Sequence, residues 1–404
     1  MEVSADDRYY GQRNVRCLNF SPLENFNDRC QLKYTTKRNS FSTYLDLSQI
    51  YGIGEYESDG KLKTGTCEAA AYTENFGTIS AQFLSITGLF TKFHNYCVDQ
   101  VSSCGTDNIG EDVREKCRSV TIGIYQRIIY EEVLVTLFGS KFYSECDLDC
   151  NYDKNLRSAI GSSFVYALGR FQHMWLPENL TYFSESTPTY NFFQNRESFD
   201  CSGTLEGMLV DTVRPWGISD IMMHSFLSTD GENGICLMCV DLERGRSAGL
   251  CPLLSFLHYQ NKITGRKNVP KCYNNFEDLD DMFNQELIDT LKKHYESPMD
   301  LDLLFAIFEK NKPQGSLLPK TVAISTCQTF KRLKCSDRFF YRWNPFHSSA
   351  IQELITIVDM SILVALFGNV EKVPVNPFTT RSRMISASVL RSYLENHQNL
   401  FCEL

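Results

Sequence analysis

Apolar side chains return every three or four positions along residues 80–98, 120–138, 156–176, 285–294 and 349–367. That period predicts helices with one buried stripe. Several of these stretches are apolar most of the way round, which places them inside a large helical body rather than on its rim. Strand-like alternation is rare. The joining stretches, such as 181–206 and 252–277, are long and aromatic, and ordered loops of that length are held by function or by covalent braces. No internal repeat, low-complexity tract or Pro- and Gly-rich linker interrupts the pattern, so residues 1–404 read as one mainly α domain with long, disulfide-braced loops.

Composition narrows this picture. A chain of 404 residues that is 43% hydrophobic has ample material for a sizeable core. Its net charge of -9 comes with scattered basic residues, which argues against nucleic acid as a partner. The most apolar run, 360–367, is far too short for a membrane span and follows Glu353 and Asp359, so it reads as a buried helix. Sixteen cysteines run from Cys17 to Cys402 without a repeated pair at zinc-site spacing, and Cys236-Leu-Met-Cys239 stands alone. Disulfides in an oxidising compartment fit better than a four-ligand metal site. Asn19 and Asn179 open N-glycosylation sequons, a signal too common to add much. Met1 to Arg8 is polar and carries no apolar signal segment, so the expectation is a secreted protein whose N-terminal portion lies outside this chain.

One stretch carries candidate chemistry. In Leu168-Gly169-Arg170-Phe171-Gln172-His173-Met174-Trp175, a histidine sits late in a predicted helix whose apolar stripe runs Ile160, Phe164, Ala167, Leu168, Phe171 and Trp175. His173 lies off that stripe, one turn beyond Gly169, and a missing side chain there would leave room for a planar, iron-bearing ring. A histidine resting on Trp175 or on the last carbonyls before Pro177 accounts for the same residues, and this stretch alone leaves both readings open.

Other segments add to it in order. Arg170 and His173 match the Arg and His of a Phe-Arg-aromatic-Gly-His segment, and Asp241-Leu-Glu-Arg244-Gly-Arg246-Ser247-Ala248-Gly249-Leu250 resembles Asn-x-Gln-Arg-Gly-Arg-Asp-His-Gly-Leu. Ser42-Thr43-Tyr44-Leu45-Asp46-Leu47-Ser48-Gln49-Ile50-Tyr51-Gly52 resembles Thr-x-Phe-x-Asp-x-Ser-x-x-Tyr-Gly. Leu89 to Asn95, Val120 to Gly139 and Phe330 to Phe339 continue the series. Together, over roughly Asn14 to Phe378, with a deletion around Leu227 to Gly234, the chain resembles the animal haem peroxidases, the family of myeloperoxidase, thyroid peroxidase and peroxinectin.

The resemblance implies a haem b held through His173 as proximal iron ligand, with Asp241 where the family keeps an Asn that accepts the imidazole hydrogen bond. It implies Arg244 as partner of a haem propionate and Arg170 as a second conserved-pattern residue beside the ligand. The first loop implies calcium, through the Asp46 carboxylate, the Ser42 and Ser48 hydroxyls and the Tyr44 carbonyl, which are hard oxygen donors. Cys17 and Cys30 resemble an early disulfide pair, and His94 a structural rather than catalytic histidine.

The departures weigh against full activity. No histidine precedes His94 and no arginine lies between Arg38 and Arg114, where the family keeps its peroxide-cleaving groups. Counted back from His94, Phe76 takes the catalytic Arg position and Ile79 that of the haem-linking Glu; a shifted register offers Glu74 but never an Arg. Peroxide cleavage needs a base and a cation, and loss of the proton-transfer group alone costs on the order of 10²–10⁴ in rate. The expectation is a divergent, secreted family member that binds haem and turns over little peroxide. The alternatives are an active peroxidase that uses hydrogen peroxide and small donors and is only partly represented in this chain, and a haem-free extracellular scaffold with a protein partner.

Overall fold

The computed structural model describes residues 42–52, 55–65, 69, 80–105, 110–189, 191–192, 200–211, 216–219, 226–228, 234–264, 273–379 and 382–404. Phe76, Ile79, Glu74, Asn19 and the Cys17–Cys30 pair lie outside them. In chain order the elements are α1 (Ser48–Tyr51), α2 (Ala81–Ser103), α3 (Glu111–Ile128), a π turn (Ile129–Val133), α4 (Leu134–Cys146) and α5 (Ser162–Tyr166), followed by a 3-10 helix (Leu168–Trp175). There follow β1 (Asn179–Tyr182), β2 (Glu185–Pro188), α6 (Cys201–Val210), α7 (Leu237–Ser247), α8 (Leu253–Thr264) and α9 (Gln285–His294). After a 3-10 turn at Leu303–Phe308 come α10 (Lys320–Ser336), α11 (Ser349–Ile357), α12 (Met360–Phe367), β3 (Lys372–Pro374), β4 (Met384–Ser386), α13 (Ala387–Glu395) and α14 (Asn399–Cys402). The two sheets among these residues are antiparallel hairpins, with Leu180 opposite Thr187 and Val373 opposite Ile385. The architecture is mainly α.

Helix boundaries follow local chemistry. Ser80 and Asn284 cap α2 and α9 by accepting from Phe83 N (3.3 Å) and Leu287 N (3.0 Å). Residues 349–367, expected as one helix, are two, bent by 79°. Val358 and Asp359 are extended, and the Asp359 carboxylate caps α12 by accepting from Ile362 N at 2.8 Å. The acidic residue that precedes the apolar run is therefore its start signal. Among the described residues no single helix is long and apolar enough to cross a membrane, and Met360 to Ala365 are buried. The helix expected over 120–138 begins earlier, at Glu111, and passes through the π turn before Gly139 kinks it at φ 67°.

The chain groups into two compact units, each discontinuous in sequence. One comprises Phe41–Ala159, Pro177–Arg214 and Phe330–Leu404. Its helices cross closely where a side chain is missing: a Cβ on Gly123 would lie 2.3 Å from Ile355 Cδ1 of α11, and one on Gly207 would lie 1.9 Å from Thr181 O of β1. Buried Gln126 donates to Leu45 O and to Asp337 Oδ2, both at 3.0 Å, and accepts from Tyr341 N at 2.9 Å. Tyr130 donates to Phe330 O at 2.8 Å. Three of the motifs read from sequence are thus tied together by one amide and one phenol. Disulfides Cys97–Cys117, Cys104–Cys402 and Cys150–Cys335 brace this unit across separations of 20, 298 and 185 residues.

His94 belongs here too, and its role is structural. It is fully buried, with Nε2 3.2 Å from Gly60 O and Nδ1 3.1 Å from Tyr51 Oη. A carbonyl can only accept, so Nε2 carries the proton and Nδ1 accepts from the phenol. Burial holds the imidazole neutral and pushes its pKa down to about 4.

Candidate functional site

Among the described residues, the second unit comprises 160–176 and those within 215–329, and it holds Arg170, His173, Asp241 and Arg244. Its geometry corrects the helix predicted over 156–176. The chain there forms short α5, breaks at Ala167 (φ -137°, ψ -74°), and continues as an eight-residue 3-10 helix. With three residues per turn, side chains at i and i+3 eclipse. Leu168, Phe171 and Met174 therefore form the buried edge, while Arg170 and His173 share another. Trp216 seals the buried edge, stacking on Phe171 at 6.4 Å between ring centres, meeting Trp175 edge-on at 5.2 Å, and donating to Ile307 O at 2.8 Å. Pro177 ends the helix by holding Leu176 extended.

Gly169 does not leave an open space. A Cβ there would lie 2.7 Å from Phe164 O and 3.1 Å from the Phe164 ring, so the glycine admits the preceding turn of its own chain rather than a ligand.

The opposing element is α7. Its first turn is capped by Cys236 Sγ, which accepts from Cys239 N, and its last turn carries Arg244 and Arg246, whose charge suits a helix C-terminus. Gly249 then adopts φ 68°, with Leu250 N returning to Gly245 O at 3.1 Å. The glycines of the Arg-Gly-Arg signature thus include the helix stop. Arg246 pairs with Asp302 at 2.9 Å, and Tyr295 donates to the same carboxylate at 2.6 Å, fixing the end of α7 beside the Leu303–Phe308 turn.

Asp241 on α7 is fully buried and lies 2.5 Å from His173 Nδ1. A carboxylate only accepts, so a ring proton sits on Nδ1, and Nε2 has no hydrogen-bond partner among the described residues. Arg170 Nε stands 3.7 Å from Asp241 Oδ1, close enough for charge but not for a hydrogen bond, because it donates to Val165 O at 2.8 Å. Burial pulls the Arg170 guanidinium below its ordinary pKa; the Asp241 charge opposes this and the Arg244 charge adds to it. Asp241 Oδ1 and Arg244 Nε are both buried without hydrogen-bond partners among the described residues. Asp241 also lines a cavity of about 50 Å³ with Tyr166, Gly245, Leu250 and Asp302, which has room for one or two waters at about 30 Å³ each.

The expected pattern of Arg170, His173, Asp241 and Arg244 is therefore brought together in one unit from two segments. The family signature spanning residues 64–378 matches that of the animal haem peroxidases. The chain belongs to the animal haem peroxidase family. Among its relatives, "Heme peroxidase 2" of Caenorhabditis elegans is 23% identical, covering 96% of this chain and 60% of that protein. "Chorion peroxidase" of Aedes aegypti is 24% identical over 85% of this chain and 48% of that protein. The chain thus spans about half the length of such relatives. In three dimensions it resembles peroxidase A of Dictyostelium discoideum (TM-score 0.68, 18% identity, 83% of this chain and 70% of that one). It also resembles the fatty acid alpha-dioxygenase of Oryza sativa (TM-score 0.68, 14% identity, 99% and 70%). At these identities the likeness shows the fold.

The calcium-like loop lies in the other unit. Asp46 Oδ1 accepts from Ser48 N at 3.0 Å and Ser42 Oγ from Tyr44 N at 3.1 Å, while Leu45 O is taken by Gln126. The Asp46 and Ser42 oxygens brace their own turn, and Leu45 O ties the loop to α3. No group of three or more His, Cys, Asp or Glu able to hold a metal occurs among the described residues. Sequence reasoning missed Trp216, whose ring packs the 3-10 helix at Leu168–Trp175, and Met174; the first has no period to announce it, and the second declares itself only in a three-residue repeat.

Proposed function

We propose that this chain is a secreted animal haem peroxidase-family domain that holds haem b through His173 and turns over hydrogen peroxide weakly. The observation that carries this reading is the 2.5 Å contact between His173 Nδ1 and buried Asp241, which directs Nε2 outward as a ligand. The donor set fits: a neutral imidazole nitrogen for iron, and the unpartnered Arg244 Nε for a carboxylate such as a propionate. When bound, the haem would supply the redox centre for oxidation of small donors by peroxide.

The roles of the chain's own residues follow from their positions. Asp241 fixes the ring tautomer and gives the imidazole more anionic character than an amide would, which lowers the reduction potential. Arg170 offsets the buried carboxylate's charge without taking its proton acceptor away. Phe76 cannot stabilise charge on a departing oxygen as an arginine does, and Ser247-Ala248 replaces the Asp-His of the family signature. Both substitutions support weak turnover. The disulfides support an oxidising, extracellular setting, and exposed Asn179 on β1 suits a glycan there. The two units interleave along the sequence, which favours reading residues 1–404 as a single domain. With Asp46 as its one carboxylate, the first loop would take calcium only weakly.

Haemin titration of the oxidised chain, followed in the Soret band with His173→Ala beside it, tests the binding half. Saturable uptake lost in the variant supports the reading; equal uptake by both overturns it. Peroxide-dependent oxidation of a phenol by the haem-loaded chain at rates within tenfold of an ordinary family peroxidase would overturn the weak-turnover half.

A further inference from the structure

We propose that Cys236–Cys239 is a thiol–disulfide exchange site for low-molecular-weight thiols, with Cys239 as the attacked sulfur and Cys236 as the leaving thiolate.

The bond differs in kind from the other described disulfides. Those close separations of 20, 185 and 298 residues, whereas Cys236 and Cys239 are three apart. A disulfide stabilises mainly by restricting the unfolded chain, an effect that shrinks with loop length. This bond therefore contributes the least of the four to holding the fold, and the Cys-x-x-Cys spacing is the one that redox centres use to tune a thiolate.

Its placement supplies the chemistry. Cys236 is the N-cap of α7, an 11-residue helix, and its sulfur accepts from Cys239 N at 3.1 Å. Negative charge on that sulfur would be met by the partial positive charge of the helix N-terminus and by a hydrogen bond already in place. A good leaving thiolate is what exchange needs. The two residues also differ in exposure: Cys236 is 4% exposed, whereas Cys239 is only half-buried. The incoming thiolate is thus assigned to Cys239, and a half-buried residue suits a small thiol.

The step balances. A thiolate attacks Cys239 Sγ, the Cys236–Cys239 bond breaks, and the pair of electrons leaves on Cys236, giving a mixed disulfide at Cys239. A second thiolate attacks the external sulfur of that mixed disulfide, releasing an oxidised small disulfide and leaving Cys239 as a thiolate. Two external thiols are oxidised and one protein disulfide is reduced. With an oxidised small disulfide in excess the sequence runs backwards.

The test uses the full chain carrying Cys251→Ser, which removes the exposed free thiol found among the described residues. The protein is equilibrated in glutathione buffers of rising reduced fraction, quenched by alkylation and mapped by peptide mass spectrometry. Cys236 and Cys239 should become alkylated while Cys97–Cys117, Cys104–Cys402 and Cys150–Cys335 stay joined and the near-ultraviolet circular dichroism is unchanged. Opening of all four bonds together would overturn the proposal. In the same background Cys236→Ser keeps a capping oxygen for α7 and leaves Cys239 to react. Oxidised glutathione should add to Cys239 in that variant at least tenfold faster than to Cys236 in Cys239→Ser. Equal rates, or a faster Cys236, would also overturn it.

Discussion

His173 and Asp241 are 68 residues apart in sequence and 2.5 Å apart in space. The carboxylate comes from the middle of α7, where the Cys236 cap, the basic last turn and the Gly249 stop fix the helix, and the imidazole from a 3-10 helix sealed by Trp216. Removing an outer partner of a metal-bound histidine commonly costs about 10–100-fold in metal affinity. Asp241→Ala should weaken haem binding by that factor, read from the Soret titration. Asp241→Asn, which still accepts from Nδ1, should keep most of the affinity while the midpoint potential of the bound haem rises.

Gly207 tests the close crossing of α6 over β1. A Cβ there would sit 1.9 Å from the Thr181 carbonyl oxygen, a backbone atom with no way to turn aside. Gly207→Ala should therefore lose about 1–3 kcal/mol of stability to overpacking, despite the better helix propensity of alanine. Urea unfolding measures the difference, and an alanine variant as stable as the parent would show that the crossing is looser.

The pH dependence of stability should carry the mark of His94. Its folded pKa, about 4, lies below the ordinary value of 6.5, so the unfolded chain binds the proton more readily. The contribution is fully present above pH 6.5 and is lost as pH falls towards 4. Its full size is about 3 kcal/mol from that difference. The advantage of the parent over His94→Gln in urea unfolding should shrink by about that amount between pH 7.5 and 4; a gap independent of pH would contradict the assignment.

Calcium should matter little. With Asp46 as the sole carboxylate of the loop and its Oδ1 already accepting from Ser48 N, affinity should be no tighter than about 10⁻⁴ M. At 1 mM calcium the stabilisation should then stay below about 1.5 kcal/mol. A melting curve with and without calcium checks this, and a large upward shift would point to donors beyond the described loop.

Much of this was legible in the sequence, and the exceptions have physical causes. Residues 285–294 form a helix as read, because the apolar positions keep a 3.6 period and Asn284 supplies a cap. The pairing of His173 with Asp241 was legible through two ordered motifs. The neighbourhood of His173 was not. A period of 3.6 put Gly169 beside the imidazole as open space, whereas a period of 3.0 places Arg170 there and lets Phe164 fill the glycine's place. Asp359 was visible as an acidic residue in an apolar run, but a cap and a surface charge look alike until the backbone turns. Cys236 and Cys239 were seen as a pair without a second pair, which favoured disulfides over a zinc site and left their bond to each other unstated.

The most direct test of His173 as iron ligand is the low-frequency resonance Raman spectrum of the ferrous, haem-loaded chain. An iron–histidine stretching band should be present in the parent, absent in His173→Ala, restored there by added imidazole, and shifted to lower frequency in Asp241→Asn as the ring loses anionic character. The same band in His173→Ala without imidazole would mean that another residue holds the iron and that the Asp241–His173 pair serves only the fold.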